Sequence, residues 1–133
     1  MDLSKLTNRA AAVIISDKKM LILQGKDGKW GFPNAVLGDD EKVDNAIINL
    51  SKNKLGVDVV PAAEIGSIEK NNGGQGEIVM FIHVNMAGGN VAVSDDYATS
   101  KFVAFDEFKT LDLAADEKQF LEVCAEDLKK HLS

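Results

Sequence analysis

Glu41, Asp95 and Asp96 are the carboxylates of this sequence best placed to do chemistry. Glu41 stands just before an amphipathic stretch, and Asp95 and Asp96 stand side by side in a polar segment. Carboxylates are the hard oxygen ligands that Mg2+ prefers, and they also serve as general bases. Asn53 offers a neutral carbonyl oxygen, and Lys54 a positive point charge that suits a phosphate. Trp30 and Phe32 could stack on a nucleobase.

Each of these residues also has a plainer use. Glu41 suits the positive end of a helix dipole, and Lys54 suits a solvated helix end. Asp95 and Asp96 are common turn formers. Trp30 and Phe32, next to Pro33, fit a core. Cys124 lies on an apolar helical stripe and reads as a buried small hydrophobe. His83 lies in the most apolar strand, with no acidic or cysteine cluster near it in sequence, and reads as structural or edge-facing. No paired Cys or His spacing suggests zinc, and no Walker-type phosphate loop is present.

The elements that must position these residues follow from periodicity. Arg9 to Ser16 and Met20 to Gln24 are apolar runs joined by Asp17-Lys18-Lys19, which predicts a hairpin. Asp27-Gly28 marks a turn, and an irregular stretch runs from the Trp30 segment to Glu41. Val43, Ala46, Ile47 and Leu50 form one apolar stripe, which predicts a helix from Val43 to Leu55. Asp39 or Asp40 is expected to cap it, and Gly56 to end it in a left-handed conformation. A strand from Val57 to Lys70, bent near Pro61, should pair through the Asn71–Gln75 loop with a strand from Glu77 to Met86. Ala87-Gly88-Gly89-Asn90 predicts a further turn, and Lys101 to Phe105 a short strand. Asp112 to His131 predicts a closing helix with Phe120, Leu121, Cys124 and Leu128 inward. This order predicts one domain over residues 1–133, an α+β fold with a mixed sheet between helices.

Composition narrows the partners. A net charge of −6 argues against nucleic-acid polymers and anionic membranes, which draw affinity from basic surfaces. A single cysteine forbids an internal disulfide. The first residues lack the apolar centre of a signal peptide, and no run is long enough to span a membrane, so a cytoplasmic protein is expected.

The segment from Trp30 to Val57 carries a more specific pattern. Trp30-Gly31-Phe32-Pro33 leads in, Glu41 follows, and Gly56-Val57 closes. In register with these, Asp96 to Val103 and then Phe105-Asp106-Glu107-Phe108 repeat a second spacing near the end. Together they resemble the Nudix hydrolase superfamily. Its pattern is a Trp-x-Phe/Leu-Pro lead-in, Gly-Gly, and a box ending Arg-Glu-U-x-Glu-Glu-x-Gly-U, with U apolar. The resemblance implies a Nudix-like mixed β-sheet sandwiched between helices, with a C-terminal helix. It also implies hydrolysis of a nucleoside diphosphate derivative by water activated with divalent cations.

The box here is degenerate. The two glycines fall on Asn34 and Ala35, and the arginine on Asn49. The three glutamates that would ligate Mg2+ from one helix face fall on Leu50, Asn53 and Lys54. Leucine cannot ligate a hard cation, and lysine repels a dication. The leading expectation is therefore a Nudix-fold protein with impaired or lost catalysis. It would bind a nucleotide or phosphorylated small molecule through Trp30, Phe32, Asn53 and Lys54, with Glu41 a weak metal candidate. One alternative is an active pyrophosphohydrolase with Mg2+ held by relocated carboxylates from Glu41, Glu77, Asp95 or Asp96. The other is a structural or protein-interaction domain, for which a homodimer on sheet edges would be one form.

Overall fold

A computed structural model describes residues 7–38, 40–72 and 75–132. Its strands are β1 (Thr7–Ser16), β2 (Lys19–Gln24), β3 (Trp30–Gly31), β4 (Asn34–Val36), β5 (Val57–Asn72), β6 (Gln75–Gly89) and β7 (Thr99–Val103). Its helices are α1 (Val43–Leu50), α2 (Phe105–Phe108) and α3 (Ala115–His131). A π-helical turn, Ser51–Leu55, prolongs α1.

Side-chain alternation in the strands explains the layering. In β1, Ala10, Ala12 and Ile14 face one way and Ala11 and Val13 the other, and all five are buried. Both faces of this strand are therefore covered. The alternation continues in β2, with Leu21 and Leu23 opposite Met20 and Ile22. One face packs with Ile47 of α1 and Leu55; the other packs with Phe120, Cys124 and Leu128 of α3. On the α3 side the phenyl rings interlock. Phe81 and Phe120 stack with centroids 3.9 Å apart, and Phe32 stacks on Phe108 at 5.2 Å. The expected mixed sheet between helices, with a C-terminal helix, is the observed fold.

The sheet runs β3-β2-β1-β6-β5, with β4 beside β1 and β7 beside β2. β1 and β6 are parallel from Thr7↔Glu77 to Ile15↔Asn85; the other pairings are antiparallel. Asp17 and Lys18 both take positive φ in the β1–β2 turn, the hand a two-residue hairpin needs. Pairing of β5 with β6 shifts register three times, once beside Pro61, so the predicted bend is a series of irregularities.

Several local expectations change. Asp39 lies outside the described residues, and Asp40 is exposed. The position before α1 is Lys42, and no side chain caps the helix. The helix starts and ends close to its expected bounds, and Gly56 takes a left-handed φ of 71°. Ala87 to Gly89 do not turn; β6 continues through Gly89, which pairs with Val57. β6 has no tight turn there because the opposing start of β5 supplies a hydrogen-bonding partner. The strands flanking the Asn71–Gln75 loop extend to Asn72 and resume at Gln75. α3 begins at Ala115 because the residues before it bond to β3: the Trp30 N–H donates to the Asp112 carbonyl and the Ala114 N–H to the Trp30 carbonyl, both at 2.9 Å.

That junction buries an acid. Glu117, in the first turn of α3, is 5% exposed and lies against β3. A Cβ on Gly31 would come within 2.8 Å of Glu117 Oε1, so a side chain there would push the carboxyl out of its present place. The Phe32 N–H approaches Oε2 at 3.5 Å, a long contact. Burial, helped by the neighbouring Asp116 charge, pushes the Glu117 carboxyl up to about 7. Below about pH 4.5 the group is protonated in both folded and unfolded chains and costs nothing. As pH rises, the unfolded chain ionises first, so stability falls until the folded group ionises near pH 7. The full loss is on the order of 3 kcal/mol. Urea denaturation should show wild type losing about that much between pH 4.5 and 8, and Glu117→Gln losing clearly less. Equal losses in the two proteins would remove Glu117 as the cause.

Candidate functional site

The end of α1 and the loop between β6 and β7 meet through backbone bonds. The Ala92 N–H donates to the Leu55 carbonyl at 2.8 Å, and the Ser94 N–H to the Lys54 carbonyl at 3.0 Å. Further on, the Ala98 N–H donates to the Gln24 carbonyl at 2.8 Å, which ties the loop to β2. Residues 90–98 are thus stitched across the C-terminal end of the helix. This pairing brings Asp96 to Lys54, 42 positions away in sequence.

Lys54 Nζ donates to Asp96 Oδ2 at 2.6 Å, and the Ser94 hydroxyl donates to the same oxygen at 3.2 Å. Both charged groups are exposed. The hydrogen bond to Asp96 raises the lysine pKa, and the same bond holds the Asp96 carboxyl below its ordinary range. The pair is therefore fully ionised at neutral pH. Around it, Leu50 is half-buried, while Asn49 and Asn53 are exposed. Ser51, in an apolar position of the pattern, is fully buried and its hydroxyl donates back to the Ile47 carbonyl at 2.8 Å.

The other acids are dispersed. Glu41 is exposed, and its Oε1 accepts the Gly38 N–H at 3.2 Å within its own turn. Asp95 is exposed in the turn beside Asp96. Glu77 belongs to a different cluster, within 3.7 Å of Arg9 and 3.9 Å of Lys70. Asp116 completes that cluster, 2.6 Å from Lys70 and 3.6 Å from Arg9, so it bridges the sheet to α3. Among the described residues, no three His, Cys, Asp or Glu side chains are grouped to hold a metal ion.

The two aromatic candidates belong elsewhere. Phe32 is 2% exposed and enclosed by Phe81, Phe108 and Phe120, which leaves it no face for a ligand. Trp30 is half-buried, packs on the same α3-side core, and carries Lys101 Nζ 4.8 Å from its ring centroid. Leu55 and Tyr97, the sequence neighbours of Lys54 and Asp96, pack on the opposite, α1-side core. The sheet thus separates Trp30 and Phe32 from Lys54, and these three do not form one site. Tyr97, half-buried beside Asp96, lies on the same side as Lys54, as does Phe102, and burial chiefly raises the Tyr97 hydroxyl pKa. Nothing in the sequence distinguished Tyr97, since it joins the site only when the loop folds against the helix end.

Similarity to known proteins is confined to structure. No protein-family model matches the sequence, and no curated protein does. Among solved structures, the MutT protein from Methanosarcina mazei Go1 superposes with a TM-score of 0.79 at 18% identity, covering 93% of this chain and 96% of that one. An ADP-ribose pyrophosphatase from Streptococcus suis 89-1591 gives 0.75 at 24%, covering 96% and 92%. A C. elegans Ap4A hydrolase, solved as a binary complex, gives 0.71 at 15%, covering 93% and 98%. With more than nine tenths of the chain superposing on such proteins, the chain has the Nudix hydrolase fold.

Proposed function

We propose that this chain is a nucleotide- or phosphometabolite-binding domain on a Nudix fold, with metal-dependent hydrolysis lost or severely weakened. The Lys54–Asp96 contact carries the reading. Where the family pattern calls for a ligating glutamate, this chain has an ammonium group, and it already engages the nearest loop carboxylate. A dication entering there would meet a lysine and a half-buried leucine. An anionic phosphate would find Lys54 attractive and Asn53 a neutral hydrogen-bonding neighbour. Tyr97 takes the base-stacking role first expected of Trp30 and Phe32. Two of the fold relatives are named for ADP-ribose and Ap4A, which supports a nucleotide as the class of ligand.

The competing readings find less support. An active enzyme needs carboxylates to converge, yet Asp96 is held by Lys54, Glu41 by the Gly38 amide and Glu77 by two cations. A dimer built on the β5 edge must pair a strand interrupted by Pro61 and three register shifts, features that oppose edge-to-edge association. No described helix is long and apolar enough to cross a membrane. With Cys124 buried and unpaired, a cytosolic protein remains our reading.

Two measurements test this. Melting temperature should be unmoved by Mg2+ alone and should rise with ADP or UDP in the absence of metal, because a ligand specific to the native state must stabilise it. Lys54→Ala should abolish most of that nucleotide shift. Mg2+-dependent cleavage of ADP-ribose to AMP and ribose 5-phosphate would overturn the reading. Separately, the triple change Leu50→Glu, Asn53→Glu and Lys54→Glu should create a metal response, with Mg2+ raising the melting temperature by a few degrees. A triple variant that stays folded by circular dichroism yet ignores Mg2+ would show that this helix face is not where a metal sits.

A further inference from the structure

His83 and His131 are the only histidines of the chain, and the fold brings them together from 48 positions apart. His83 is on β6, and His131 is in the last turn of α3. Their Nδ1 atoms are 2.8 Å apart, and their rings cross at 77° with centroids 4.9 Å apart. His83 Nε2 lies 3.0 Å from Asn85 Oδ1. An amide oxygen only accepts, so Nε2 of His83 carries the proton and its Nδ1 presents a bare lone pair. The proton in the Nδ1–Nδ1 contact then belongs to His131.

We propose that His83 and His131 form a two-imidazole binding site for a divalent transition-metal ion, Zn2+ foremost. Imidazole nitrogen suits zinc, and a ligating histidine ordinarily donates its other N–H to a fixed acceptor, the role Asn85 fills here. Two nitrogens bound at about 2.0–2.1 Å with tetrahedral angles lie roughly 3.3 Å apart, so the two nitrogens must part by about half an ångström and both rings turn toward the ion. On binding, His131 shifts its proton from Nδ1 to Nε2, and both Nδ1 lone pairs then face the ion. The strand neighbours of His83 are Val13 and Ala63, which offer no competing polar group. Asp127, one turn before His131 on α3, adds a negative charge that acts on that ring. Two protein ligands are fewer than a closed structural site uses, so water completes the coordination and the ion exchanges readily. The ion would clip the end of α3 to the sheet, on the side opposite the Lys54–Asp96 pair.

The test uses the full chain at pH 7.5 in a buffer free of chelators. Zinc sulfate should raise the melting temperature by about 4 °C at tenfold excess over its dissociation constant, and EDTA should reverse the shift. His83→Gln and His131→Gln should each abolish the shift, while Lys54→Ala should keep it. Because either histidine variant could misfold, Cu2+ bound to the wild-type protein supplies a second reading, and its electron paramagnetic resonance spectrum should carry nitrogen hyperfine structure. No zinc shift in wild type, an equal shift in both histidine variants, or a copper spectrum with oxygen donors alone would overturn the proposal.

Discussion

Parallel pairing of β1 with β6, held from Thr7↔Glu77 to Ile15↔Asn85, is the constraint on which the remaining architecture depends. Parallel strands cannot be joined by a tight turn, so about sixty residues must intervene between them before the chain returns alongside β1. That stretch contains β2, β3, β4, α1 and β5. A central parallel pair also needs cover on both faces, because neither face is left for water. Residues 10–14 of β1 answer this with five consecutive buried apolar residues rather than an alternating pattern. α1 covers one face and α3 the other. The same register sets Arg9 close to Glu77 and delivers His83 to the end of α3.

Much of the fold was legible because its signals are local. The β1–β2 hairpin, the apolar stripe of α1, the left-handed Gly56 and the long apolar run of β6 each depend on neighbours in sequence. What escaped depends on distant partners. Gly88 and Gly89 read as a turn from their neighbours in sequence but extend a strand because Asp58 and Val57 lie alongside. Asp112 to Ala114 could have begun a helix but are held extended by Trp30. The burial of Glu117 is invisible in a helix whose first turn simply favours acids.

The site was legible in part. Register with the family pattern located Lys54 and Asp96, but the sequence could not join them. Their contact depends on Ala92 and Ser94 bonding to the last carbonyls of the helix. Nor could it assign sides. Trp30 and Phe32 precede α1 in sequence, close to its ligand face along the chain, yet both pack into the α3 layer. Aromatic residues near a motif are thus poor guides to a pocket until the pleat of the strand carrying them is known.

An ammonium group is not a small magnesium ion, and the difference bears on how the proposed site would work. It carries one charge rather than two, presents N–H donors rather than empty coordination positions, and is tethered to the helix by its own stem. It can hold a phosphate oxygen, but it cannot bind and acidify a water molecule as a metal does. Lys54 also occupies Asp96, the carboxylate that a metal-dependent reaction in this loop would need free. A single residue type therefore alters two parts of the chemistry at once: the cation that would activate water and the base that would receive its proton. On this reading restoring one glutamate would not suffice, because Leu50 and Asn53 would still leave the helix face without the adjacent carboxylates that hold a hard dication.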